Sequence, residues 1–111
     1  LKAMGCRTIL LKGGHQETAA ITSLFVDANH GVYPFETRKF NTKNTHGSGC
    51  TLSSAIAAFL ARGETLLDAV RLSQDYVYAA IDSGRDVLCG KGNGPLNHFF
   101  NPQKLIKYEL V

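Results

Sequence analysis

A layered α/β fold made of one strand, a β-hairpin and two long helices is what the 111-residue sequence predicts. Three observations carry that expectation. Apolar and β-branched residues first recur in short runs cut by turn residues. Past residue 50 the pattern changes, and apolar residues recur on one face of a helix. The gap between the two helical segments is short, which makes them antiparallel neighbours. Helices beside strands must bury one apolar face each against another layer.

The run Thr8-Ile9-Leu10-Leu11 reads as a buried strand over Thr8–Lys12 that stops at Gly13-Gly14. Ile21–Asp27 and Val32–Phe40 are β-prone, and the turn-rich Ala28-Asn29-His30-Gly31 between them predicts a hairpin. Pro34 cannot donate to a ladder, so the second hairpin strand belongs at an edge. A polar stretch, Asn41-Thr42-Lys43-Asn44-Thr45, then runs into His46-Gly47-Ser48-Gly49-Cys50.

Leu52, Ala55, Ile56, Phe59 and Leu60 follow i, i+3, i+4, i+7, i+8, one face of a helix over Cys50–Arg62 that Gly63 stops. Thr65 with Asp68 three residues on makes a capping box for a second helix, Thr65–Gly84. Its stripe is Leu66, Val70, Ser73, Val77, Ala80 and Ile81. The tail from Leu88 to Val111 holds Gly90, Gly92, Gly94, Pro95 and Pro102. It reads as loop, with a short final helix expected at Pro102–Leu110.

Composition narrows the function classes. With 44% hydrophobic and 19% charged residues, the chain is neither disordered nor fibrous. Its length suits one domain that buries roughly two-thirds of its unfolded surface. Twelve basic against nine acidic residues leave +3, but Lys and Arg are scattered, which argues against nucleic acid as a partner. No apolar run nears the ~20 residues of a membrane span. Cys6, Cys50 and Cys89 are odd in number and show no C-x-x-C spacing, so reduced thiols in a cytoplasm are expected. Neither they nor the dispersed His15, His30, His46 and His98 form a metal-ligand pattern. The chain lacks an initiator Met and enters a core-like strand within a few residues, the look of a piece of a longer protein.

Chemistry concentrates in Thr45-His46-Gly47-Ser48-Gly49-Cys50-Thr51-Leu52, a glycine-rich loop entering a helix. The first amides of a helix lack intrahelical acceptors, and the macrodipole adds positive potential there. Glycines let those amides converge on an anion such as phosphate. Cys50 sits at the mouth of that hole, in a field that favours thiolate. A base beside a phosphate cradle suits deprotonation of an alcohol for phosphoryl attack. Spacing alone leaves a plain loop and cap equally open. The loop is neither a Walker A sequence nor a Rossmann turn.

The segment from Asn41 through Ala57, NTKNTHGSGCTLSSAIA, closely resembles the signature of hydroxymethylpyrimidine/phosphomethylpyrimidine kinases of thiamine biosynthesis, in the ribokinase-like superfamily. Leu10-Leu11-Lys12-Gly13-Gly14-His15 looks like that family's strand-and-turn motif. Gly92-Asn93-Gly94-Pro95-Leu96-Asn97-His98-Phe99 is similar to its closing motif, with Asn93 where His is more usual. The three motifs stand in the family's order across nearly the whole chain.

The resemblance implies that residues 1–111 form the C-terminal part of one ribokinase-like three-layer kinase domain. It implies an anion hole at Gly47, Ser48 and Gly49, and Cys50 as the base on a substrate hydroxymethyl group. Lys12 corresponds to a lysine that neutralises nucleotide phosphates, and Gly13 lets backbone approach the nucleotide. Asn97 and His98 are expected to fasten the closing loop. ATP and Mg²⁺ are the implied cofactors, with the Mg²⁺ ligands outside this chain. The small-molecule substrate is hydroxymethylpyrimidine or its phosphate, and the whole enzyme is expected to be a homo-oligomer. Family members are more than twice this long, so the isolated chain is expected to be inactive. Its first strand should keep an open side that invites association, and its stability should be low. A pyridoxal kinase of the cysteine-bearing type and a non-catalytic nucleotide- or phosphate-binding module remain alternatives.

Overall fold

A computed structural model describes residues 2–13 and 20–108. After a short 3-10 turn at Lys2–Met4 come strand β1 (Ile9–Leu11), strands β2 (Ala20–Val26) and β3 (Val32–Arg38), helix α1 (Ser48–Ala61) and helix α2 (Leu66–Gly84). The strands form one antiparallel sheet in the order β1-β2-β3. Leu10 faces Phe25 and Leu24 faces Pro34, so the proline lies on an outer strand, as its missing N–H requires. Gly14 and His15, part of the anticipated turn after β1, lie outside the described residues.

Local chemistry accounts for the turns and ends. The Asp27 carboxylate accepts the amides of Asn29 (2.9 Å) and Gly31 (2.7 Å), and His30 takes a positive φ of 65° to close the hairpin. Helix α1 ends in a Schellman motif: Glu64 N–H donates to the Phe59 carbonyl at 3.1 Å and Gly63 N–H to that of Leu60 at 3.0 Å. Gly63 holds φ 95° there, a value that costs an L side chain roughly 1–2 kcal/mol. Thr65 caps α2 by accepting the Asp68 amide at 3.2 Å, the bond its spacing implied. The second hairpin strand stops at Arg38 rather than at Phe40.

Phe25, Leu52, Ala69, Val70, Ala80 and Leu96 make the buried apolar core, with Ser23, Asn44 and Ser73 as buried polar residues. The buried face of α2 is therefore narrow and small-sided, which lets α1 lie close against it. On α1 only Leu52 of the anticipated stripe is buried, and Leu60 is 41% exposed. The chain is an open slab, 44 × 42 × 20 Å, with a radius of gyration of 15.6 Å. A globule of this length would measure about 13 Å.

Burial of two-thirds of the unfolded surface is not reached. The exposed area is 8238 Å², against about 6,000 Å² for a closed globule of this mass. One face of α1 and one edge of β1 have no covering layer among the described residues, and Leu11 is 58% exposed. The short terminal helix is likewise absent: residues 102–108 are irregular and exposed, while Glu109 and Leu110 lie outside the described residues. A helix that short is marginal in water without a surface to pack on, and Leu105, Ile106 and Tyr108 find none.

Candidate functional site

The site begins with the left-handed residue Gly47, which caps α1 at φ 84°, ψ 8°. That conformation swings the chain from the polar stretch straight into the helix, so that Ser48, Gly49 and Cys50 become its first three residues. The helix thus starts two residues earlier than the apolar periodicity indicates. Ser48 N–H turns back to the Thr45 carbonyl at 3.2 Å, and Thr51 N–H meets the Gly47 carbonyl at 2.8 Å. No side chain caps this end. The amides of Gly49 and Cys50 are left as the donors at the mouth, where the helix dipole is positive.

Lys12, brought from the end of β1, completes the cradle. Its ammonium nitrogen lies 3.6 Å from where a Cβ on Gly49 would stand. Two motifs distant in sequence therefore meet at one point, a cation beside the helix-start amides, an arrangement whose charge suits an anion. Gly13 has a different physical reason to be glycine from a loose turn. A Cβ there would collide with the Thr22 carbonyl oxygen, and its amide donates to the buried Ser23 hydroxyl at 3.3 Å. Gly13 thereby seats Lys12 against β2.

Two clefts flank this mouth. The first, about 390 Å³, lies between sheet and helices, and Lys12, Gly13, Phe40, Ser48, Gln74 and Tyr78 are among its walls. Phe40 and Tyr78 meet there with ring centres 5.0 Å apart, tilted at 41°. The second, about 510 Å³, runs along α1 and α2, with Cys50, Ser54, Phe59, Arg62, Tyr76 and His98 on its walls. Cys50 is exposed, so its sulfur is open to a ligand in that groove. The site residues anticipated from sequence are thus divided: Lys12, Gly13 and Ser48 border the sheet-side cleft, Cys50 the helix-side groove, with Gly47 and Gly49 at the mouth between them.

The closing motif secures this region. Asn97 N–H donates to the Ala80 carbonyl at 3.0 Å, and His98 Nδ1 pairs with the Tyr76 hydroxyl at 3.1 Å. Both residues fasten the loop to α2, as expected. Sequence reasoning missed Asn44, which is 3% exposed, and the aromatic pair Phe40–Tyr78. Neither carries a local signal: an asparagine in a polar stretch reads as surface, and the two aromatics meet only through tertiary packing.

The residues present suit a polyanion. Lys12, Arg38 and Lys39 border the sheet-side cleft, and among the described residues no carboxylate lines either cleft. That same lack of carboxylates means the residues do not fit a Mg²⁺ site, and no group of three potential ligands occurs among the described residues. No helix among the described residues is long and apolar enough to cross a membrane.

Comparison with known proteins places this arrangement. The family model described as phosphomethylpyrimidine kinase matches residues 1–97. A hydroxymethylpyrimidine/phosphomethylpyrimidine kinase of Staphylococcus aureus (strain Mu50) is 38% identical over 99 residues, 89% of this chain and 35% of the relative. That of Rhizobium meliloti is 42% identical over 95 residues, 86% of this chain and 35% of the relative. Among solved structures, pyridoxal kinase from Staphylococcus aureus in complex with AMP-PCP superposes with a TM-score of 0.80 at 28% identity, covering 90% of this chain and 36% of that one. The ribokinase-like α/β expectation is borne out by this likeness. The chain spans about a third of the length of the curated relatives it matches.

Proposed function

This chain belongs to the phosphomethylpyrimidine kinase family, and on that premise we propose that it supplies the nucleotide-phosphate side of a phosphoryl-transfer site within a longer enzyme. The reaction is transfer of a phosphoryl group from ATP to the hydroxymethyl group of 4-amino-5-hydroxymethyl-2-methylpyrimidine, or to its phosphate, in thiamine biosynthesis. One observation carries this reading above the others: the Lys12 ammonium over the uncapped start of α1, 3.6 Å from the Cβ position of Gly49, with Cys50 exposed beside it.

ATP lies in the sheet-side cleft, with its phosphates running toward Lys12 and the amides of Gly49 and Cys50. Those fixed donors stabilise the charge that gathers on the transferring group without having to reorganise. Cys50 accepts the proton of the substrate hydroxyl while that oxygen bonds to the terminal phosphorus and the bond to ADP breaks. Gly47, Ser48 and Gly49 form the anion hole, and Gly13 keeps the Lys12 backbone in place. The groove beside Cys50 is the acceptor side. Its remaining walls, and the acidic groups that hold Mg²⁺, belong to the part of the enzyme beyond these residues. The three exposed thiols suit a cytoplasmic enzyme, and the assembled enzyme is a homo-oligomer.

Two measurements test the reading. Calorimetry of the 111-residue chain with ATP is expected to show binding. Incubation with ATP, Mg²⁺ and hydroxymethylpyrimidine is expected to show no turnover at ordinary kinase rates, because positioning supplies most of the rate in phosphoryl transfer. Rapid turnover by the chain alone would overturn the assignment of the acceptor pocket to other residues. Pyridoxal is the second candidate acceptor, since solved neighbours of the fold are pyridoxal kinases. Assaying both alcohols after adding the upstream portion of a relative separates the two.

A further inference from the structure

The polar stretch before the anion hole contains one residue whose burial its sequence context does not suggest. Asn44 is 3% exposed, and its Nδ2 donates to the carbonyls of Gly84 at 2.7 Å and Val87 at 2.6 Å. Two carbonyl partners fix the amide orientation, because only the NH₂ end can donate to both. The carbonyl of Gly84 closes α2 and that of Val87 lies just beyond, so Asn44 ties the start of one helix to the end of the other.

The grip is reinforced from two sides. Asn44 N–H donates to the Thr42 hydroxyl at 3.1 Å, which itself donates to the Arg85 carbonyl at 3.1 Å. On the other side the closing motif presses in: a Cβ on Gly94 would collide with Asn44 Oδ1. Two residues on from Asn44, His46 N–H donates to the Gly94 carbonyl at 3.0 Å, and His46 pairs with Pro95 as an isolated parallel bridge. Gly47 follows immediately in its left-handed conformation, and α1 has no side-chain cap of its own.

We propose that Asn44 is a positioning residue for the anion hole: through its clasp on Gly84 and Val87 it sets where the Gly49 and Cys50 amides point. The proposal rests on the phosphate-binding reading above. Because no side chain caps the helix start, the direction of its free amides is inherited from residues 44–46, and Asn44 is the buried anchor of that segment. Displacements near an ångström at such a site can cost about a hundredfold in rate.

The test compares ATP with adenosine, each titrated into the 111-residue chain and followed by NMR, with inorganic phosphate as a third ligand. The ratio of ATP to adenosine affinity isolates the phosphate contacts. In Asn44→Asp, which keeps the shape but cannot donate to the two carbonyls, that ratio is expected to fall at least tenfold. Adenosine affinity should stay within twofold, and the helical signal in circular dichroism should persist. Gly94→Ala, which pushes on Oδ1 from outside, should lower the ratio in the same direction. It serves as the deciding variant if Asn44→Asp does not fold. Asn93→Ala, an exposed residue of the same loop, should change nothing. A folded variant with an unchanged ratio, or an equal loss for both ligands, overturns the positioning role. Wild-type chain that binds neither ATP nor inorganic phosphate would instead bring down the phosphate reading itself.

Discussion

The two clefts beside the start of α1 differ in how nearly finished they are. The sheet-side cleft has walls from β2, β3, α1 and α2 and from Lys12 and Gly13 just past β1, so sheet and helices both border it. Among the described residues the helix-side groove is walled by α1 and its end, α2 and the closing loop, and one side of it is open. The same helix end serves both. A volume enclosed by two layers can order a ligand, whereas a groove on a helix pair is a face awaiting another layer. On the proposed reading the phosphates lie on the side the molecule builds itself, while Cys50 stands on the side it leaves open.

Four substitutions break or sharpen that contrast, in descending order of effect. Cys50→Ser, measured in the chain combined with the upstream portion of the Staphylococcus aureus relative, is expected to cut turnover by about 10²–10⁴. ATP affinity of the chain alone should stay within twofold. A large loss of ATP affinity would place the sulfur on the nucleotide side and erase the distinction. Lys12→Ala should weaken ATP binding to the isolated chain by about tenfold or more, as loss of a charged phosphate partner does. Unchanged calorimetry would remove Lys12 from the cradle.

Gly63→Ala tests whether the far end of the helix pair matters to either cleft. It should lower unfolding free energy by about 1–2 kcal/mol in a denaturant titration and leave ATP affinity intact. Leu11→Lys acts on the open strand edge. Light scattering should show less self-association than in wild type, because a lysine on an edge discourages strand pairing. An identical mass distribution would mean that β1 is not where copies meet.

Much of this architecture was legible in advance, and the reasons are local. The Schellman turn at Gly63, the Thr65 cap and the Asp27-to-Gly31 hairpin each depend on residues within a few positions of one another. The glycine loop was readable for the same reason, since a helix start carries its own free amides whatever surrounds it. What failed were the inferences about which apolar faces would be covered. The stripe of α1 is only partly buried, and the tail is irregular because nothing among the described residues packs on it. Amphipathic pattern states which face wants cover; it does not state whether cover is present.

Adjacent residues alone set the order of strand, hairpin and helices, the turn at Gly31, the stop at Gly63, the Thr65 cap and a glycine-rich loop leading into α1. The tertiary structure alone decided that Lys12 meets Gly49, that Asn44 is a buried clasp rather than a surface amide, and that Cys50 faces a different cleft from Lys12. Caps and periodicities are contacts between near neighbours, written in adjacent residues. A lysine at a strand end reaches a glycine in a distant helix only when the layers between them have packed.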